Sequence, residues 1–262
     1  VRLPGAKIGG QVSANGSTFT GPFIADRMEV GGDLFLQDMS SVAEVRLPGA
    51  KIGGQVSANG STFTGLFNAD GMEVGGSLFL RDMPSVAAVR LLGAQIGGDV
   101  SANGSTFTGL FNADGMEVGG GLFLLDMPSV AAVDLLGAKI GGDVSANGST
   151  FTGLFNADGM EVGGGLFLQD MPSVAAVRLL GAKIGGVVSA ERSTFTGLFT
   201  AARMEVGSDL FLRHMEGALG IGLPGVRVGQ DLQLHGSIVS GEVDLTGAEI
   251  GGALELWQGG DD

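Results

Sequence analysis

The sequence predicts an all-β chain, a right-handed parallel β-helix built as a four-sided solenoid with about 22 residues per coil and twelve coils. Three observations predict it. A 44-residue segment recurs along the chain, glycine returns at one fixed place in every 22-residue half, and apolar residues come in pairs two positions apart. Right-handedness follows from the hand that parallel crossover connections almost always take.

The repeat comes first, because a fixed period of this length signals a solenoid or an array. VRLPGAKIGGQVSANGSTFTG starts at Val1 and returns with few changes from Val45, Val89, Val133 and Val177. Residues 1–220 are thus five near-identical repeats, and a divergent sixth opens at Ile221 and runs through 221–262. The whole of 1–262 reads as a single solenoid domain. A weaker echo sits at 22 residues, where Ala6-Lys7-Ile8-Gly9-Gly10 is answered by Met28-Glu29-Val30-Gly31-Gly32. Glycine holds the first position of that pair in all twelve units, from Gly9 to Gly251.

Each unit has four short sides. Val1/Leu3, Ala6/Ile8, Val12/Ala14 and Ser17/Phe19 are pairs with the two-residue period of a strand, and Phe23/Ala25, Met28/Val30, Leu34/Leu36 and Met39/Ser41 repeat the scheme. Glycine, Asn-Gly and Asp fall between the sides, where corners are expected to need positive φ. The two unit types alternate large with small residues: Leu3 is set against Ala25, Ala14 against Leu36, and Phe19 against Ser41. Such exchange fills a narrow core without voids, which accounts for a period of 44 rather than 22. A triangular helix of hexapeptides would need about 18 residues per coil and does not fit the 22-residue return. Strand alternation broken every five or six residues leaves no room for a useful helix.

Composition narrows the function classes. Fifty glycines and no cysteine exclude a disulfide framework, a thiolate nucleophile and a cysteine zinc site. No apolar run approaches the roughly 18 residues of a spanning helix, and no leader precedes Val1, so no transmembrane segment is expected and cytoplasm is the default compartment. The chain opens inside the repeat pattern without methionine, from which flanking domains are expected.

The units AKIGG, STFTG and LFNAD resemble those of pentapeptide-repeat proteins, with a central apolar residue and a small residue two before it turned inward. The resemblance covers essentially the whole chain, with departures: every second unit has six residues, and Met28, Phe23 and Leu34 stand where alanine is usual. Leu245-Thr246-Gly247-Ala248-Glu249-Ile250-Gly251-Gly252 is also similar to bacterial repeat proteins labelled membrane-associated oxidoreductases, although no redox motif accompanies it. The pentapeptide resemblance implies a right-handed quadrilateral β-helix used for binding or scaffolding, with some members acting as DNA mimics against topoisomerases.

Candidate chemistry is sparse. His214 and His235 fall near one corner beside Arg192 and Arg213, a patch read as basic; it is either an anion site or repeat decay, since His214 takes the place of Asp170. Serine recurs at corners and core positions without a distinguished acid-base partner, so no catalytic residue, cofactor or metal ligand is assigned. The glycine pairs lack the following helix of a phosphate loop, and GGDLFLQD lacks the carboxylate spacing of calcium-binding nonapeptides. Asn15-Gly16-Ser17 matches a glycosylation sequon, yet it is what a tight corner needs. Thr18 and Thr20 recur every second coil, about 9.6 Å apart, and resemble an incomplete ice-binding ladder.

Two outer columns stand out. Lys7, Glu29, Lys51, Glu73, Gln95, Glu117, Lys139, Glu161, Lys183, Glu205, Arg227 and Glu249 stack with alternating charge and are expected to pair as a structural ladder. Phe35, Phe79, Phe123, Phe167 and Phe211 lie between inward leucines and are expected to form an outward stripe, for a protein partner, a docked flanking segment or lateral self-association. The net charge of −14 is uneven, reaching −7 over 89–176, −6 over 221–262 and +1 over 177–220. A rod of twelve coils is roughly 58 Å long, and duplex DNA of that length carries about 34 charges, so direct nucleic-acid binding is not expected and mimicry would be partial. The expected function is a non-enzymatic structural or protein-interaction scaffold. The alternatives are an acidic DNA mimic, an ice-binding solenoid and an accessory domain of a larger bacterial enzyme.

Overall fold

The computed structural model describes residues 1–256, and every regular element in them is a β-strand. The strands fall into three parallel sheets. One is twelve strands deep and runs from Lys7–Ile8 to Glu249–Ile250; the second, also twelve deep, runs from Val12–Ser13 to Leu254–Glu255. The third has eleven strands, from Phe23–Ile24 to Val243–Asp244. Successive neighbours in the first two sheets are 22 residues apart, as in Lys7↔Glu29 and Val12↔Leu34. The chain is therefore a parallel β-solenoid of about eleven turns. The amides of one coil bond the carbonyls of the next, for example Lys51 N to Met28 O at 2.8 Å, so the backbone polar groups are satisfied along the axis.

The fourth side is less regular and corrects the sequence reading. At the N-terminal end it holds isolated bridges, Thr18↔Ser40 and Val42↔Phe63. In the middle coils it merges with the third sheet into strands that wrap the corner, alternately seven residues long (Thr62–Asn68) and six (Ser85–Arg90). A seven-residue strand beside a six-residue one must bulge, and the register shifts between Phe63↔Val86 and Leu66↔Ala88. The offset on this side alternates, with Phe63 facing Val86 and Val86 facing Phe107. The residue turned inward opposite the phenylalanine column is thus Val42 and its equivalents. Strict alternation expects Ser41 there, but Ser41 is exposed, with φ at 58°. The extra residue of the longer strand is glycine for a steric reason: a Cβ on Gly109 would come closer than 3.0 Å to the Ala87 carbonyl oxygen.

The twelve invariant glycines also have a different cause from the one expected. Gly53 and its equivalents do not adopt positive φ. A Cβ on Gly53 would instead intrude on the Gly31 carbonyl of the preceding coil, so the column marks close backbone approach. Positive φ is used at other corners, by Gly60 in Asn-Gly and by Asp38, Asp82, Asp126 and Asp170.

Inside, large and small residues exchange from coil to coil as a narrow core requires. Leu47 alternates with Ala69, Ala58 with Leu80 and Ala50 with Met72, all fully buried. Phe63 and Phe67 stack across the corner at 5.9 Å, and Phe107 with Phe111 at 5.8 Å; the coils between supply Val86 and Val89. Each such side chain contributes roughly 1.5–3 kcal/mol by leaving water.

Candidate interaction surface

Because alternate residues of the first two sheets turn outward, their outer surface is a set of parallel columns one residue wide. Their chemistry is set by which residue types recur every 22 positions.

On the first sheet the outward column is the charged one. Backbone register sets each charged residue against the next, from Lys7↔Glu29 to Arg227↔Glu249, with Gln95 interrupting between Glu73 and Glu117. Ion pairs close between Lys7 and Glu29 at 3.0 Å, Lys51 and Glu73 at 2.8 Å, and Glu117 and Lys139 at 3.4 Å. Glu161 and Lys183 stand at 4.0 Å, while Arg227 reaches both Glu205 at 3.4 Å and Glu249 at 3.2 Å. Hydrogen bonding to Glu73 raises the Lys51 pKa above its ordinary value. These pairs are exposed, and each is worth roughly 0–1 kcal/mol. Beside the ladder runs a shallow open groove that the glycine column, Gly9 through Gly163, helps to line.

The second sheet carries Phe35, Phe79, Phe123, Phe167 and Phe211, each in register with a serine of the neighbouring coils, as in Phe79↔Ser57 and Phe79↔Ser101. The rings are half-buried and Ser57, Ser101 and Ser189 are buried. Those serines are hydrogen-bonded by the side chains two residues beyond each phenylalanine: Gln37 to Ser57 at 2.7 Å, Arg81 to Ser101 at 2.8 Å, Gln169 to Ser189 at 2.8 Å. Leu125 breaks that series. The Phe123 and Phe167 rings lean over Gly121 and Gly165, where a Cβ would collide with them. Arg81 lies over the Phe79 ring at 4.4 Å and Arg213 over the Phe211 ring at 4.5 Å, a favourable cation–π arrangement.

A third column escapes the sequence reading. At the corner of the wrapped strands, Leu66, Leu110, Leu154 and Leu198 alternate in register with Ala88, Ala132, Ala176 and Gly220, all outward except Gly220, which is buried. Leu110 is 39% and Leu198 50% exposed. The available signal is the absence of any charge from Thr62 to Phe67 and from Ser85 to Val89. The bulge hides it, because a strict two-residue alternation does not place two successive outward residues in one strand.

The wrapped strands also rewrite the hydroxyl pattern. The 23-residue offset sets Thr62 against Ser85, Thr106 against Ser129 and Thr150 against Ser173. One column therefore carries a hydroxyl on consecutive coils rather than on every second one.

The two histidines lie together with ring centroids 5.7 Å apart, and His214 occupies the same left-handed corner as Asp170, with φ of 53° and 54°. The patch expected to be basic is compensated. Arg192 pairs with Asp170 at 2.6 Å, Arg213 with Glu191, and His235 Nδ1 lies 3.3 Å from Glu255. Hydrogen bonding to Arg192 lowers the Asp170 pKa.

Among the described residues, Asp114 is a carboxylate whose partner position carries a like charge. Where Arg46 meets Asp26 at 3.0 Å and Arg90 meets Asp70, Asp134 stands in the arginine position beside Asp114. Burial, and then the Asp134 charge, raise the Asp114 pKa above the ordinary carboxylate value. No cluster of three or more His, Asp or Glu side chains suited to a metal ion occurs among the described residues, nor any helix long and apolar enough to cross a membrane.

Comparison with known proteins matches no family model, no curated protein and no solved structure.

Proposed function

We propose that this chain is a non-enzymatic scaffold of the pentapeptide-repeat-like kind, a rod that holds protein partners along its outer faces. The observation that supports this reading is repetition at the surface. The charged, phenylalanine and leucine columns each recur coil after coil, whereas catalysis needs a singular constellation of nucleophile, base and orienting group. The phenylalanine column, Phe35 to Phe211, offers one contact line for a partner.

The acidic balance does not favour a DNA mimic, because the charge is uneven and the ladder along the first sheet alternates in sign. The test removes residues 89–132, one whole repeat, joining Ala88 to Val133 in the original register. A rod of interchangeable coils remains β-rich and folded, and it shows no inhibition of gyrase supercoiling at micromolar concentration. Inhibition by the full chain would replace the scaffold with the mimic.

A second reading is favoured by the hydroxyl column, which spaces Thr and Ser about 4.8 Å apart from Thr18 to Thr194. The second threonine of the three middle repeats is engaged with the backbone, as Thr108 Oγ1 donates to Val86 O at 3.3 Å, which leaves a single row rather than an array there. Thermal hysteresis in a cooled solution of the chain would establish this reading, and its absence would remove it.

A further inference from the structure

The leucine and alanine column at the wrapped corner is an apolar face on a chain of net charge −14. Between Glu44 at one end and Glu242 at the other, its positions from Leu66 to Gly220 are leucine, alanine or glycine. Strands of seven and six residues make it the widest regular part of the rod. Its borders are polar: Asn68, Arg90, Asn112, Asp134, Asn156 and Arg178 close the strands on one edge.

We propose that two copies of this chain associate side by side, antiparallel, through this corner. The inference rests on the scaffold reading and names the partner of one face. Three features of the face point to a second copy. The first is relief: leucines project about every 9.6 Å with alanines between, a spacing that another copy of the same face reproduces. A two-fold axis passing between the coils of Leu110 and Ala132 sets Leu110 over the partner copy's alanine at that position. The same axis pairs Leu66 with the position of Ala176, and Leu154 with that of Ala88. Every leucine in that overlap then meets an alanine, as ridges meet grooves.

The second feature is charge. That axis sets Arg178 against the position of Asn68, Arg90 against that of Asn156, and Asp134 against that of Asn112, so no like charges meet along the edge. The third is area. The six coils from Leu66 to Ala176 that this axis overlaps are five spacings long, and with a strand of seven residues they give a patch of about 24 by 23 Å, on the order of 550 Å² per copy, the size of a small, concentration-dependent interface. An apolar centre with a polar border is also the usual anatomy of such an interface.

Sedimentation velocity on the full chain tests the proposal, at concentrations rising to about 100 μM, where a micromolar dimer is nearly saturated. The wild-type chain shifts from one-chain to two-chain mass. Leu110→Glu with Leu154→Glu stays at one-chain mass with an unchanged β circular dichroism spectrum, and the Phe79→Ser, Phe123→Ser, Phe167→Ser variant still dimerises. Because the sequence contains no cysteine, an oxidised equimolar mixture of Leu66→Cys and Ala176→Cys chains reports the orientation. A disulfide-linked heterodimer in excess over either homodimer is expected.

One-chain mass for the wild type at every concentration would overturn the proposal and leave the scaffold reading to a foreign partner. Loss of dimer in the phenylalanine variant but not in the leucine variant would transfer self-association to the other face and equally overturn it. Homodimeric cross-links in excess would overturn the antiparallel arrangement. Should the double glutamate variant unfold, Leu110→Ser with Leu154→Ser takes its place under the same criteria.

Discussion

Ser61 Oγ donates a hydrogen bond to the carbonyl oxygen of Leu36, in the preceding coil, at 2.6 Å, and Ser61 Oγ in turn accepts the Met39 N–H at 2.9 Å. Ser105, Ser149 and Ser193 repeat the arrangement, each fully or almost fully buried. A small polar residue thus occupies the inner column that Met39 and Met83 fill in the alternate coils. It satisfies a donor and an acceptor that the corner leaves without backbone partners.

Ser105→Ala should accordingly destabilise the chain. It leaves the Met83 N–H and the Leu80 carbonyl buried without a partner, at roughly 1–3 kcal/mol for an unsatisfied group. Urea denaturation should show a loss of about 2 kcal/mol. The neighbouring Thr106→Ala, at a partly exposed outward position, should stay within about 0.5 kcal/mol. Equal effects would mean that the buried bonds carry no special weight.

The glycine pairs look identical in sequence but differ in surroundings between an interior coil, stacked on the one before it, and the first coil of the structure. Gly97→Ala places a methyl group against the Gly75 carbonyl oxygen, and forcing the coils apart should cost about 1–3 kcal/mol or more. Gly10→Ala meets nothing within 4 Å at a residue without positive φ, so it should be neutral or stabilise by about 0.4–1 kcal/mol by restricting the unfolded chain. Thermal denaturation of the two variants side by side measures the difference. A harmless Gly97→Ala would show that close backbone approach does not explain the column.

These contrasts show which parts of the molecule are legible in the string of residues. The coil length, the inward leucines and the column register can be read because a 22-residue return and a two-residue alternation are properties of the string itself. Gly9 and its equivalents are recognisable as required, but the requirement is a distance between coils, which no single coil contains. Extending the alternation past Met39 points Ser41 inward, whereas the chain inserts a left-handed residue there and turns Val42 in. That one-residue slip also conceals the outward leucines and the continuous hydroxyl row, since both lie on the strands whose lengths alternate between seven and six.

Asp134 gives a pH-dependent prediction. The Asp114 pKa is raised by burial and then by the Asp134 charge, so the folded state holds this proton more tightly than the unfolded chain does. The favourable contribution is complete below the unfolded value of 3.8 and is lost as pH rises through the raised folded value. Asp134→Arg restores the arrangement of Arg90 with Asp70 and removes the repelling carboxylate. The variant should gain about 0.5–1 kcal/mol near pH 7, and the gain should vanish when Asp114 is protonated near pH 3. Denaturation midpoints across that range decide it; a gain independent of pH would place its origin outside the carboxylate pair.

The charged ladder makes the last prediction. Glu117 lies between Gln95 and Lys139 in register and bonds Lys139 at 3.4 Å, so Glu117→Lys replaces an attraction by a repulsion across one strand spacing. Like charges directly opposite in a sheet are unfavourable, while solvent exposure limits the size of the effect. The expected loss is about 0.5–1 kcal/mol at low salt, shrinking as salt rises toward 1 M, where the screening length falls to about 3 Å. Glu117→Gln should lose less than half as much, because it removes the attraction without adding repulsion. Lys139→Glu made together with Glu117→Lys should recover most of the stability, although the carboxylate it introduces then faces Glu161 in register. If the single charge reversal leaves the low-salt denaturation midpoint unchanged, the ladder contributes nothing to register or stability, and alternation of sign along the first sheet serves solubility alone.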